Sequence, residues 1–544
     1  MDNGRRSARH TRVPVLDDVR TFPRYVTGLA KFLQPVTPEE CRRRVGRQLE
    51  RRAETFVEVL ARAVYPSEQS AYRRLLEHAG IELGDVTRMV QERGVEDTLS
   101  VLHDAGVYIS LEEFRGRRPV QRPGLELELG PSAFDNPVAR TEFTGRSGGS
   151  RSPGRLVLGN FETAEYQVSH HGLLLLAFGL TGRPTLVWFP GPPSMSGLFM
   201  ALFTVKFREQ LDHWFVPSKR RPGLGSIKPA LLTTTAWSVA KAVGAPFPWP
   251  RHVPPGEALR VARWLERQRR AGTPGIVTST PSCAVRVCVE AREHGLDIAG
   301  STFELGSEPF TPGKAEIVAA AGCNAASMYG MTEVGYVGLP CPDPAWPDEV
   351  HLLTDRLAVS QRPRQLTPGV TVDALHYTTL MLDGPRIVIN VESDDFGVVE
   401  ERSCGCELDQ LGFNLHLHTI RSFEKLTSEG TSFLGERLVA LVDEVLPARF
   451  GGKATDYQLV ESERDGVPRI EVVVSPRIGA IEEEDVGKAI LAFLRHQGGA
   501  HEVMADTWQA SETLEVVRRE PLMTSGGKIQ PLHVLERQRS TAST

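Results

Sequence analysis

The chain has 544 residues, which exceeds what one hydrophobic core usually organises, so two or three domains are expected. Its hydrophobic fraction of 40% suits a folded protein, and a net charge of -5 gives no electrostatic case for nucleic acid, whose binding needs a concentrated basic surface. The longest strongly apolar stretch, Gly172 to Leu180, falls far short of the ~20 residues that span a bilayer, so no membrane partner is expected.

The start, MDNGRRSARHTRVPV, is positively charged but lacks a following apolar run, so a secretory signal is not expected and the reading is cytoplasmic. From about Val36 to Gly116, apolar positions such as Leu49, Phe56, Val59, Leu60 and Val64 recur at helical spacing, giving a helical leader over 1–124. The basic runs Arg42 to Arg44 and Arg51 to Arg52 read as its solvated face. Gly116 to Gly124, with Arg118, Pro119, Arg122 and Pro123, reads as a linker. Strand candidates then alternate with helices: TLVWFP at Thr185 to Pro190, ALLTTT at Ala230 to Thr235, and GIVTSTPS at Gly275 to Ser282. That alternation predicts a layered α/β body with substantially parallel strands. After Thr367, VDALHYTTL and RIVINVES predict a small mixed β region, which completes a large domain over 125–420. A helix from Gly435 to Val445, strands DYQLVE and RIEVVVS, and a helix around Val486 to Arg495 predict a compact α+β domain over 421–544.

Three segments carry chemistry. FTGRSGGSRSPGR, Phe143 to Arg155, offers Thr144, Ser147, Gly148, Gly149 and Ser150, small and hydroxyl-bearing residues that let backbone N–H groups wrap a phosphate. It is not the GxxxxGK[ST] loop. SMYGMTEVG, Ser327 to Gly335, contains an aromatic for a flat base in Tyr329, a hydroxyl for phosphate in Thr332 and an oxygen ligand for Mg2+ in Glu333. MTSGGKIQ, Met523 to Gln530, carries Lys528 on a glycine-rich loop.

Together with STFELGSEPFTPGK, Ser301 to Lys314, these segments resemble the adenylate-forming superfamily of acyl-CoA synthetases and adenylation domains. The resemblance covers about 125 to 544 and implies a large adenylation domain followed by a small mobile C-terminal domain. It places Gly306, Ser307, Glu308 and Pro309 beside the adenine, with Met328, Tyr329, Gly330, Met331 and Thr332 completing the nucleotide site. Glu333 would hold Mg2+, and Asp395 of INVESDDFG would bind the ribose hydroxyls, although Asp394 stands where the family has glycine. Arg421 matches the arginine at the domain junction, and Phe423 replaces the usual polar hinge residue. Lys528 matches the lysine that stabilises charge at the α-phosphate.

Cys341, His351, Cys404 and Cys406 supply three thiols and an imidazole, a donor set suited to tetrahedral Zn2+. Their placement resembles that in the phenylacetate–coenzyme A ligase group, some members of which carry zinc there. Four protein ligands leave no open coordination position, so the role implied is structural. The remaining Cys41, Cys283, Cys288 and Cys323 read as ordinary thiols.

The resemblance implies two half-reactions: a carboxylate attacks ATP, releasing pyrophosphate and leaving an acyl adenylate, and a nucleophile, commonly coenzyme A, then displaces AMP after the small domain rotates. The partners are thus a small-molecule acid and a nucleophilic acceptor, and relatives are often homodimers. Apolar residues from Trp188 to Phe199, with Met328 and Tyr329, fit an aryl or other apolar acid, and His170 and His171 are further pocket positions by analogy. The altered phosphate loop and Glu392, in place of a common basic residue, leave open an enzyme of specialised metabolism, such as a diazotase using nitrite and an arylamine or an amide-forming ligase. A non-catalytic binding protein is the remaining alternative; retention of Glu333, Asp395 and Lys528 argues against it.

Overall fold

A computed structural model describes residues 14–130, 132–146, 156–191, 195–217, 227–331, 334–367, 370–422, 425–428, 431–434, 440–464, 467–497, 504–506, 508–509, 511–522 and 532–534. Its centre is a parallel sheet of strands β1 (Thr185–Trp188), β2 (Leu211–Val216), β3 (Arg251–His252), β4 (Ile276–Ser279), β5 (Thr302–Leu305) and β6 (Asn324–Ser327) in the order β6-β5-β4-β1-β2-β3. Strands β1, β4 and β5 are buried along their whole length, because helices cover both faces. Side chains alternate between the two layers. Val187 and Phe189 join a cluster with the helices Phe161–Ala177 and Ser196–Lys206, whereas Leu186, Trp188, Val277, Phe303 and Leu305 pack on Ala258–Arg270 and Pro281–Glu293.

The segment Ala230 to Thr235 is not a strand but part of the helix Ile227–Ala242. Leu232, Ala236 and Ala240 recur every four residues and are buried, and this stripe outweighs the β preference of the three threonines. Thr234 returns its hydroxyl to the Ala230 carbonyl at 2.9 Å, a helical i to i-4 bond.

The β region is larger than the sequence suggests and starts within the SMYGMTEVG segment. It comprises β7 (Tyr329–Met331), β8 (Gly335–Pro340), β9 (Val350–Leu352), β10 (Leu357–Thr367), β11 (Val370–Thr379), β12 (Val391–Glu401) and β13 (Leu415–Ser422). They form one antiparallel sheet ordered β7-β8-β9-β13-β12-β11-β10. The first three strands are short and broken by glycine and proline, which hid their period-two pattern. RIVINVES likewise does not run as one strand. Asn390 takes φ +49° ahead of β12 and donates its amide to the carbonyls of Leu99 at 2.8 Å and Val107 at 3.1 Å.

Those two acceptors belong to the helical leader, which shares a core with this sheet: Phe56, Leu60, Leu75 and Leu99 pack with Val337, Leu352, Tyr377 and Leu417. The expected linker contains a hairpin, Val120–Arg122 against Leu125–Leu127. Arg122 is drawn inward by Glu113, 2.8 Å away with both side chains nearly inaccessible, so the Arg-Pro pattern misreads an ion-paired anchor as linker. Glu392 also belongs to this joint. Its carboxylate accepts from the Leu111 backbone N–H at 2.9 Å and from Arg364 at 2.6 Å.

The C-terminal domain has β14 (Tyr457–Arg464), β15 (Val467–Val474), β16 (Leu514–Arg518) and β17 (Leu532–Val534) in the order β16-β15-β14-β17. The helix Glu483–Gln497 closes a core containing Tyr457, Ile470, Val472, Ile490, Leu494 and Trp508. Of the helix expected from Gly435, the part from Ala440 onward is described and continues into two short helical segments, Leu441–Val445 and Leu446–Phe450. Arg286, on the helix Pro281–Glu293, donates to the Ser511 carbonyl at 3.0 Å, a contact between the large and small domains. Among the described residues no helix is long and apolar enough to cross a membrane.

Candidate active site and cysteine–histidine cluster

The carboxyl ends of parallel strands leave a crevice where ligands usually bind, and β5 and β6 end there in the two motif segments. Gly306 follows β5, and Ser307 is exposed at φ +70°, a conformation that costs a residue other than glycine roughly 1–2 kcal/mol. The turn is held from below. Glu308 accepts from the Ser282 backbone N–H at 3.1 Å and from its hydroxyl, lies 3.6 Å from the Lys314 ammonium, and is fully enclosed, while Lys314 also caps the Pro309 carbonyl at 3.0 Å. The Glu308 side chain therefore faces the fold, and the backbone at Gly306 and Ser307 is what lies open.

From β6 the chain passes through Met328, whose N–H donates to the Leu305 carbonyl at 2.8 Å, into the β7–β8 hairpin. Gly330 suits the close approach of the two strands: a Cβ there would lie 3.0 Å from the Gly335 carbonyl oxygen, a tight contact. Tyr329 donates its phenol to Asp395 Oδ2 at 2.7 Å, and its oxygen lies 2.9 Å from the Tyr377 hydroxyl. Burial first, then the Asp395 charge, raises the Tyr329 phenol well above its ordinary pKa, so it stays a donor through the neutral range. Asp394, the acid in glycine's place, is answered by Arg115 of the leader at 2.9 Å. Across the β12–β13 register Phe396 faces Arg421, which donates to Asp348 at 3.1 Å while that carboxylate also accepts the Thr419 and Ile420 N–H groups.

Thr144 lies on the hairpin Phe143–Arg146, paired with Leu158. Ser147, Gly148, Gly149, Ser150, Thr332, Glu333, Phe423 and Lys528 lie outside the described residues. His170 and His171 are on the buried side of the helix Phe161–Ala177. His170 Nε2 sits 3.0 Å from Asp355 with neither side chain exposed, and His171 packs between Phe203 and Phe207.

The four cysteine and histidine positions converge. Cys341 follows β8, His351 is in β9, and Cys404 and Cys406 lie beyond β12; their donor atoms all fall within 4.8 Å of one another. His351 Nε2 is 3.3 Å from Cys406 Sγ and 3.7 Å from Cys404 Sγ. A tetrahedron with zinc–sulfur bonds of about 2.3 Å and a zinc–nitrogen bond of about 2.0–2.1 Å has nitrogen–sulfur edges of about 3.6 Å, so the donor set fits the ion. His351 Nδ1 lies 2.6 Å from the Phe413 carbonyl, which can only accept; the proton is therefore on Nδ1 and the Nε2 lone pair faces the thiols. Gly405, at φ +74°, allows the tight Cys-Gly-Cys turn. Arg402 reaches Cys341 Sγ at 3.4 Å and Glu349 at 2.9 Å, and Glu349 also accepts from His416 at 2.6 Å.

Among solved structures, this chain is similar to a 2-hydroxyisobutyryl-CoA ligase in complex with 2-HIB-AMP and CoA in the thioesterification state, with a TM-score of 0.51 and 14% identity over 97% of this chain and 95% of that one. The fold is that of this ligase. A malonyl-CoA ligase complex with methylmalonyl-CoA and AMP matches at TM-score 0.40 and 13% identity, over 71% of this chain and 72% of that one. The o-succinylbenzoate CoA synthetase from Bacillus subtilis matches at TM-score 0.39 and 11% identity, over 75% of this chain and 71% of that one. No family model and no curated relative matches the sequence. Sequence reasoning missed Tyr377 and Arg115, which meet Tyr329 and Asp394. Each acts across a long sequence separation, Tyr377 from strand β11 and Arg115 from the end of the leader helix Leu111–Phe114, and neither lies in a motif.

Proposed function

We propose that the chain is an AMP-forming ligase that activates a small carboxylic acid, aryl or otherwise apolar, with MgATP and transfers the acyl group to coenzyme A, as in the phenylacetate–coenzyme A ligase group. The observation that carries this reading is the 2.7 Å bond between Tyr329 and Asp395. It joins the base-stacking residue and the ribose acid of two separate motifs, at the mouth of a parallel sheet. The 2-hydroxyisobutyryl-CoA ligase with this fold holds an acyl adenylate and CoA, which supports the same order of steps here.

In this reading Asp395 receives the ribose hydroxyls, Tyr329 stacks on adenine, and the open backbone of Gly306 and Ser307 borders the base. The loop of Ser147, Gly148, Gly149 and Ser150 wraps the phosphates with Thr332. Glu333 would hold Mg2+, which when bound supplies charge neutralisation on the triphosphate. Lys528 brings positive charge to the α-phosphate as pyrophosphate departs. Cys341, His351, Cys404 and Cys406 would hold a structural Zn2+ that clips the β8 end to the loop after β12.

The test is incubation with MgATP, coenzyme A and panels of aryl acids, fatty acids and nitrite with or without an arylamine, following AMP and pyrophosphate by mass spectrometry. AMP and a thioester formed with an aryl acid are the expected result. AMP dependent on nitrite and an arylamine would replace the coenzyme A reading, whereas no AMP with any acid would remove the enzymatic one. Lys528→Ala should slow adenylation by about 10²–10³-fold, the usual effect of deleting one transition-state electrostatic contact, with an unchanged circular dichroism spectrum. Undiminished adenylation in that variant would show the lysine to be misassigned.

A further inference from the structure

Arg356 stands in the turn between β9 and β10 with only 2% of its surface exposed. One terminal nitrogen donates to the Val334 carbonyl, while Nε and the other terminal nitrogen meet no hydrogen-bond partner among the described residues. The adjacent carboxylate does not close the account: Asp355 holds His170, with both oxygens 3.0–3.1 Å from Nε2. Burial lowers the Arg356 pKa to about 10, with Asp355 opposing, so the guanidinium remains charged at neutral pH. A buried cation with one hydrogen bond destabilises a fold, and an apolar side chain of similar volume usually packs such a site at less cost. The position therefore calls for a reason other than packing.

Its surroundings supply one. Val334 lies in the connection of the β7–β8 hairpin, in which Met331 pairs with Gly335 and Gly330 with Tyr336. The same hairpin is fixed at Tyr329 by Asp395 and Tyr377. Gly335 has φ +77°, and a Cβ there would fall 2.6 Å from the Gln167 amide nitrogen and 3.6 Å from an Arg356 terminal nitrogen. Gln167 and His170 belong to the helix Phe161–Ala177, which follows the strand Leu156–Gly159 leading out of the glycine-rich segment. The buried sequence His170, Asp355, Arg356 and Val334 thus joins that helix to the hairpin bearing the nucleotide motif.

We propose that Arg356 is a positioning residue for nucleotide binding: by gripping Val334 it sets the Tyr329–Pro340 hairpin against the helix that follows the phosphate loop. This rests on the adenylating reading above. The test compares Arg356→Met and Arg356→Lys with the unaltered chain, measuring MgATP affinity by calorimetry without any acid, the KM for MgATP and for the acid, and the thermal unfolding midpoint. The Met variant is expected to bind MgATP about tenfold more weakly, the magnitude of one charge-assisted contact, with the KM for the acid unchanged and the midpoint equal or higher. The Lys variant, which keeps the charge without the planar fork, should fall between the two. Unchanged MgATP affinity in either folded variant overturns the proposal while leaving the adenylating reading intact. Affinity and midpoint falling together in both variants overturn it as well, because that is what a purely structural residue does. If the unaltered chain does not bind MgATP, both readings fall.

Discussion

Asp395→Asn is expected to raise the KM for ATP by about two orders of magnitude while the protein stays folded. The substitution keeps the shape of the side chain and an oxygen that can accept the Tyr329 phenol, now 2.7 Å from Oδ2, so the β7–β12 contact survives. What it removes is the negative charge that would accept from two ribose hydroxyls, each such charge-assisted bond being worth roughly 1.5–3 kcal/mol. Loss of part of two such bonds corresponds to about a hundredfold in affinity. Tyr329→Phe should weaken ATP binding by about tenfold, because it removes the donor that orients the carboxylate and leaves Tyr377 to take its place. The double variant should lose less than the sum of the two, since both changes act on one hydrogen bond. ATP–pyrophosphate exchange and calorimetric titration of ATP measure all three. Strict additivity would show that Tyr329 and Asp395 work independently, and an unaltered KM in Asp395→Asn would remove the ribose assignment.

The convergence of two motif segments was legible because its signals are local: Gly330 where two strands approach, and Tyr329 and Asp395, which meet at 2.7 Å. The α/β layering was legible too, since buried parallel strands read as short apolar runs. Long-range ion pairs were not. Arg115, at the end of a leader helix, has nothing nearby in sequence that points to Asp394, and Glu392 looks like functional divergence until the Leu111 N–H and Arg364 are seen to hold it. The helix Ile227–Ala242 was obscured by three consecutive threonines, whose β preference only the packing of Leu232, Ala236 and Ala240 overrides. The unfavourable burial of Arg356 has no sequence signature, because Thr-Asp-Arg after a strand reads as an ordinary polar turn.

Removal of one ligand of the cysteine–histidine cluster should produce a large effect on stability and a small one on chemistry. Cys406→Ser and His351→Ala are expected to lose the metal and to lower the unfolding midpoint by roughly 5–10 °C. Structural zinc is worth about 10–16 kcal/mol in small peptides, but here the antiparallel sheet retains a core of its own, so only a fraction of that should be lost. The loss concentrates where the cluster joins pieces that the ladder does not. The Cys404–Cys406 loop leads into the helix Glu407–Leu411, whose Glu407 meets Arg42 of the leader at 3.5 Å, a pair too exposed to hold that helix by itself. His351 and His416, with ring centres 4.0 Å apart, would also lose the fixed geometry that Phe413 and Glu349 now give them. Adenylation per folded molecule should be retained, because a site with four protein ligands leaves no position for water or substrate. Elemental analysis of protein purified without chelator should give close to one zinc per chain, reduced in both variants. Absence of zinc from the unaltered protein, or an unchanged midpoint in Cys406→Ser, would show that the four donors converge without holding an ion.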